Sequence, residues 1–353
     1  ARRLESELPG PYDLTGVGYS AAGARLSFVF AMRGPAMVFD TACSSSVVAA
    51  HVGRRSLQHC DMLRGVVVGV NLLLVPGGAH VGPAVAGMLS VMGRCHTFDV
   101  RADGYLRGEG CGVAMLAAGV IDTIPGSAAM HNGQSATFTA LNGSSQQMVV
   151  PAAELARAIG EEADTNLPST LLFDYPTRDA IAAHFVTSEI VCQPHIATLV
   201  QLGAKTGIAQ AGISCRVPHA AITSSDLERL ARTAIDEGSE VPLSRWDADV
   251  VDTRSMSADV QTRIRYGCFL SQIELFDSAC FHIKCVEATA LDPQQKLMLE
   301  AGYEALGRRN VLHGSNTGVF LGMMNSDAAR RLESELPGPY DLTGVGYSAA
   351  GAR

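Results

Sequence analysis

The sequence predicts an α/β fold, and three neighbouring stretches carry that expectation. A short apolar run at residues 36–40 is followed by a helix-compatible segment at residues 47–58. A second apolar run, residues 65–71, comes next. Strand, helix and strand at that spacing predict a crossover unit with parallel pairing between the two runs. At 353 residues, with 47% apolar and 18% charged side chains, the chain has ample material for a buried core.

Ala36-Met37-Val38-Phe39-Asp40 follows Gly34-Pro35 and reads as a buried strand. Thr41-Ala42-Cys43 makes a tight passage, and Ser44, Ser45 and Ser46 offer hydroxyls suited to capping the helix that follows. That helix is rich in small apolar residues, among them Val47, Val48, Ala49, Ala50 and Val52. Downstream, Gly108-Glu109-Gly110-Cys111-Gly112 has the look of a nucleotide-binding turn. It runs into Val113-Ala114-Met115-Leu116, a strand rather than a helix, so the dinucleotide fingerprint fails and a turn feeding a buried strand is expected. Gly318-Val319-Phe320-Leu321-Gly322 is expected to be another strand.

One feature reorders the chain. Residues 1–25 recur without a change as residues 329–353, a spacing nearly as long as the chain and far beyond any solenoid unit. Surface positions within the segment, such as Arg2 and Glu7, would tolerate drift, so packing does not demand such identity. The chain reads as one module returning to its start, with Arg353 continuing in sense to Leu26. Four parts follow: residues 1–150, residues 151–187 ending a small helical unit, a linker at 188–205, and residues 206–353. In restored order, 206–353 come first and 26–150 continue them.

Composition excludes several classes. A net charge of −8 with no basic block argues against a nucleic-acid partner. The longest apolar stretch, from Gly65 to Pro76, is too short to cross a bilayer, so no membrane span is expected. Ala1-Arg2-Arg3-Leu4-Glu5-Ser6-Glu7 lacks the apolar core of a signal sequence. Nine cysteines without a Cys-x-x-Cys pair suit reduced thiols, and a cytoplasmic location. Cys280, His282 and Cys285, and the pairs His59-Cys60 and Cys95-His96, lack the second half a zinc site needs, so no metal is expected.

Chemistry concentrates at Cys43. A thiol at the first turn of a helix faces unsatisfied N–H groups and the positive end of the helix dipole, which favour its thiolate. The same N–H groups suit an oxyanion formed when a thioester carbonyl is attacked. A buried structural cysteine is the competing reading, and local context leaves the two even.

Wider wording separates them. Asp40-Thr41-Ala42-Cys43-Ser44-Ser45-Ser46 resembles the active-site signature of ketosynthase (beta-ketoacyl synthase) domains of modular polyketide synthases. Residues 94–99 and 102–112 resemble that family's next two stretches. Ser244-Arg245-Trp246-Asp247, Arg265-Tyr266-Gly267, Phe276-Asp277, residues 291–296 and residues 318–322 resemble its amino-terminal portion. The resemblance implies a thiolase-like layered α/β fold, here incomplete and in permuted order, and a homodimer or higher oligomer. It implies that Cys43 takes an acyl chain from an acyl carrier protein. A malonyl-type extender on another carrier is then decarboxylated, and its carbanion attacks the acyl thioester.

Decarboxylation needs positioned donors for the enolate oxygen. The family places them on histidines in a His-Gly-Thr-Gly-Thr stretch and a later Gly-His stretch, and neither occurs among the ten histidines of this chain. His313-Gly314-Ser315 lies before the amino-terminal strand, and His131 lies upstream of where the first such histidine would fall. Glu154-Leu155 and residues 167–177 resemble the end of an acyl carrier protein, a short helical segment. Met148-Val149-Val150-Pro151 stands where the carrier's serine belongs. No cofactor is therefore expected on this chain, and phosphopantetheine only on partner carriers. Two functions remain in view: an acyltransferase of the beta-ketoacyl synthase type acting through Cys43, or a ketosynthase-derived scaffold unable to condense. The duplicated segment adds a third, head-to-tail exchange between chains.

Overall fold

The structure is a computed structural model describing residues 11–97, 99–118, 208–218, 235–251, 256–307 and 312–324. It also describes short pieces between 124 and 149, residues 228–229 and residues 232–233. The carrier-like segment 151–187, the linker 188–205 and the second repeat copy 329–353 lie outside the described residues.

The first repeat copy supplies α1 (Asp13–Val17) and most of α2 (Tyr19–Val29). Strand β1 (Ala36–Phe39) leads through a 3₁₀ turn (Ala42–Ser44) into α3 (Ser45–Gln58), which is followed by β2 (Arg64–Asn71). A π turn (Gly77–Val81) and α4 (Gly82–Val85) precede β3 (Gly110–Ala118) and β4 (Ile208–Arg216). A two-stranded ribbon, β5 (Ser239–Glu240) with β6 (Tyr266–Gly267), flanks α5 (Ala258–Arg263). Last come α6 (Cys285–Ala290), α7 (Pro293–Leu306) and β7 (Thr317–Met323). Pro293 opens α7 at a position where a missing N–H does no harm, and the Asp292 carboxylate accepts from the Gln294 N–H at 2.8 Å.

The main sheet runs β1-β7-β2-β3-β4. β1 and β2 are both parallel to β7, whereas β2–β3 and β3–β4 are antiparallel. The two strands around α3 are therefore parallel as expected, but they do not pair with each other. β7 lies between them, with Leu321 in register with Val38 on one side and Val68 on the other. Every residue of β7 is buried, and a strand apolar on both faces is stable only in the middle of a covered sheet.

Alternate residues of the sheet feed two cores. Val66, Val68, Val70, Val319, Leu321 and Met323 face α2 and α7, packing with Leu26, Phe30, Met298 and Leu299. Val67 and Phe320 face α3, packing with Ala49 and Leu57. Each large side chain so buried contributes about 1.5–3 kcal/mol. Helix, sheet and helix thus form three layers. Among the described residues, no helix is long and apolar enough to cross a membrane.

Candidate active site

The site grows from the end of β1. Asp40 closes the strand by accepting the Ala42 N–H on Oδ1 at 3.2 Å. Ala42 then takes a left-handed conformation, φ +56°, which is rare for a residue with a Cβ. That reversal carries the backbone from strand into the 3₁₀ turn within a few residues. Cys43 sits in the turn, directly ahead of the fourteen-residue helix α3. It is exposed, which removes the reading of a buried structural cysteine.

The serines act differently from expectation. Ser44 occupies the N-cap of α3 but makes no side-chain cap. Its hydroxyl donates back to the Thr41 carbonyl at 2.8 Å. Ser45 Oγ donates to the Ala42 carbonyl at 2.7 Å and accepts from the Thr41 N–H at 2.9 Å. The hydroxyls brace the strained elbow because it turns back within their reach. They leave the helix start uncapped by side chains.

Cys43 lines a cavity of about 660 Å³. Its walls are the start of α3, the ends of β2 and β7, the loop 105–110 that enters β3, and the facing parts of β3 and β4. Close packing at the helix start depends on two glycines. A Cβ on Gly322 would stand 2.5 Å from the Ser45 carbonyl carbon, and one on Gly69 would stand 2.7 Å from Ser46 Cβ. No histidine lies among the described residues that line the cavity.

The wall loop is held by a buried ion pair. Glu109 accepts from Arg245 Nε and Nη2, both at 2.8 Å, with side-chain exposures of 0% for Glu109 and 3% for Arg245. The same carboxylate accepts the Leu73 N–H at 3.0 Å and the Leu270 N–H at 2.7 Å. Asn71 Nδ2 donates to the Gly108 carbonyl at 2.7 Å. Glu109 is thus an anchor for the turn ahead of β3, consistent with the strand expected there. Its role was missed in the sequence. The available signal was a carboxylate between two glycines at the mouth of an apolar strand.

Cys111 lines the cavity, and the histidines of the described residues lie outside its lining. Burial pushes the Cys111 thiol up to about 12, against a smaller opposing pull from Arg216. His80 lies fully buried, its Nε2 3.1 Å from the Ile264 carbonyl and its ring 5.1 Å from that of Trp246 in a T-shaped contact. Burial first, then the nearby Arg107 guanidinium, lowers its pKa to about 4. His51, on α3, is bonded to Ser127 Oγ at 2.9 Å, and His313 is exposed ahead of β7.

A family model described as beta-ketoacyl synthase, N-terminal domain, matches residues 4–119 and 205–353. The chain belongs to the beta-ketoacyl synthase family. Its mixed sheet between helical layers fits a thiolase-like ketosynthase fold. The match omits residues 120–204, so nothing in it supports the carrier-like resemblance of residues 151–187.

Polyketide synthases stand among the relatives of this ketosynthase-family chain. A phenolphthiocerol/phthiocerol polyketide synthase of Mycobacterium tuberculosis is 41% identical over 152 residues, 39% of this chain and 7% of that protein. Polyketide synthase GfsE of Streptomyces halstedii is 37% identical over 190 residues, 51% of this chain and 5% of that protein. A mycocerosic acid synthase-like polyketide synthase of Mycolicibacterium smegmatis is 46% identical over 109 residues, 31% of this chain and 5% of that protein. The chain therefore spans a small fraction, 5–7%, of the length of these curated relatives.

Proposed function

We propose that this chain is a polyketide-synthase ketosynthase whose Cys43 is acylated by a carrier-bound thioester. The observation that supports the reading is an exposed thiol at a strand-to-helix elbow, opening onto a cavity. In the loading step Cys43 Sγ attacks the acyl carbonyl carbon and a new C–S bond forms. The carrier's C–S bond breaks, and the proton that leaves Cys43 ends on the departing pantetheine thiol. The oxyanion formed on the way is assigned to backbone N–H groups at the start of α3. A malonyl-type thioester on a second carrier then loses CO₂, and its carbanion displaces Cys43 as the C–C bond forms. The partners are thus acyl carrier proteins bearing phosphopantetheine, in a homodimeric or larger cytoplasmic assembly.

The domain reading belongs to the same proposal. Residues 206–353 form the amino-terminal part of the ketosynthase and 1–150 its central part, joined by a linker at 188–205 to a carrier-like remnant at 151–187. The place of β7 between β1 and β2 supports that permuted order.

A second reading, a ketosynthase-derived scaffold that loads acyl groups poorly and cannot condense, draws on the lack of a histidine among the described residues that line the cavity. One experiment separates them. The folded chain is incubated with a short acyl pantetheine thioester, then with a malonyl thioester, and followed by mass spectrometry. An acyl adduct on Cys43, absent in Cys43→Ser, is expected. Its absence from the unsubstituted chain would overturn the loading step, and a 3-ketoacyl product would refute the scaffold.

A further inference from the structure

We propose that Gly112 sets the length of the acyl group that Cys43 carries, because the tail of that group lies over β3 where a side chain is missing. The inference rests on the loading of Cys43 proposed above and names its substrate class, thioesters of aliphatic acids several carbons long.

The glycines around the elbow lack side chains for different reasons. Gly69 and Gly322 leave room for the start of α3, as their close approaches to Ser46 and Ser45 show. Gly112 has no such neighbour. A Cβ there would meet no atom of the described residues within 4 Å. Nor does the backbone call for glycine, because φ at Gly112 lies outside the left-handed region. A glycine inside a strand weakens it, and one that neither a bend nor packing requires marks a place where a ligand comes close to the backbone.

The register says which way that opening faces. Cys111 and Val113 are buried in the core with Leu26 and Met298, whereas Gly112 between them is exposed on the opposite face. Its partner across the ladder is Gly69. Cross-strand partners project to one face, and a Cβ on Gly69 would stand 2.7 Å from Ser46 Cβ in the first turn of α3. Gly112 therefore opens on the side of the sheet that carries the elbow, one strand spacing of ~4.8 Å beyond Gly69.

Gly112 and Cys43 line the same cavity. A group on Cys43 Sγ starts beside Ser46, crosses the end of β2 at Gly69 and reaches β3 at Gly112. Beyond it, Ala114 on β3 and Ile213 on β4 are in register and line the cavity too. Both are apolar, so the far part of the path suits a hydrocarbon tail. A short acyl group ends before Gly112 and a longer one crosses it. A side chain at that position obstructs the longer one alone.

Full-length Gly112→Leu and Gly112→Ala test this with methyl and octyl methanethiosulfonates, which place alkyl groups of two lengths on a thiol through a disulfide. Cys60, exposed just past the far end of α3, is the internal reference, and peptide mass spectrometry gives the rate at each cysteine. Gly112→Leu is expected to lower the Cys43-to-Cys60 ratio about tenfold or more for the octyl reagent and to leave the methyl ratio within about twofold, with Gly112→Ala between. An unchanged octyl ratio overturns the proposal, because the tail then runs elsewhere. Octyl and methyl ratios that fall together overturn it as well, because the elbow itself has then moved. Urea unfolding read from Trp246 fluorescence should show Gly112→Leu no less stable than the parent, since its side chain enters open space. A variant that fails to fold refutes that space and the proposal with it. Acetyl and octanoyl pantetheine thioesters complete the series. Thioesters that leave the parent Cys43 unacylated sink the loading step, whereas the thiosulfonate ratios judge Gly112 independently of it.

Discussion

Replacing Arg245 with Met tests how the cavity wall is held. The substitution removes two charge-assisted hydrogen bonds from Glu109 and leaves a carboxylate with 0% side-chain exposure. Breaking such a pair from one side costs about 3–5 kcal/mol. The Leu73 and Leu270 N–H groups still satisfy part of the charge, so the lower end, ~3 kcal/mol, is expected. The double variant Glu109→Leu/Arg245→Met is the sharper probe. Exchanging a whole buried pair for apolar side chains is often neutral. Here it leaves the Leu73 and Leu270 amides without an acceptor, at ~1–3 kcal/mol each, so the double variant stays at least ~2 kcal/mol below the parent. Trp246, the single tryptophan, adjoins Arg245 and reports urea unfolding by fluorescence. A single variant within ~1 kcal/mol of the parent, or a double variant that fully recovers, would refute the argument from buried charge.

His80 is neutral when folded, its pKa lowered from 6.5 to about 4, so the unfolded chain binds its proton first as pH falls. Stability should drop by about 3 kcal/mol between pH 6.5 and 4, and His80→Phe should flatten that part of the profile. A slope unchanged by the substitution would locate the effect elsewhere. Gly322→Ala drives a methyl to 2.5 Å from the Ser45 carbonyl carbon, so ~1–3 kcal/mol of destabilisation is expected, with slower alkylation of Cys43 as the elbow shifts. Unchanged unfolding and unchanged alkylation would show that α3 has room to withdraw.

Local signals carried much of the fold. The apolar run before Asp40, the small-residue segment after Ser46 and the run at residues 65–71 are β1, α3 and β2 in the structure, but β1 is an edge strand of exposed and half-buried residues, not the buried strand expected, because only β7 flanks it. The strand expected after residues 108–112 is β3, but it begins at Gly110, so Cys111 and Gly112 already pair with β2 instead of forming a turn ahead of it. These elements were legible because each is set by hydrophobic periodicity over a few residues. The serine hydroxyls were not. Capping and back-bonding use the same residue types at the same spacing, and the choice turned on the left-handed Ala42, which sequence does not announce.

By itself the sequence placed a thiol where a strand becomes a helix, and showed that one 25-residue segment occurs twice. Only the tertiary structure decided that β7 separates β1 from β2, that Glu109 meets Arg245 across the chain, and that the first copy of the repeat meets the end of β7. The reason lies in range. An elbow is a property of adjacent residues, whereas pairing across hundreds of positions depends on which apolar face finds cover and which buried charge finds its opposite.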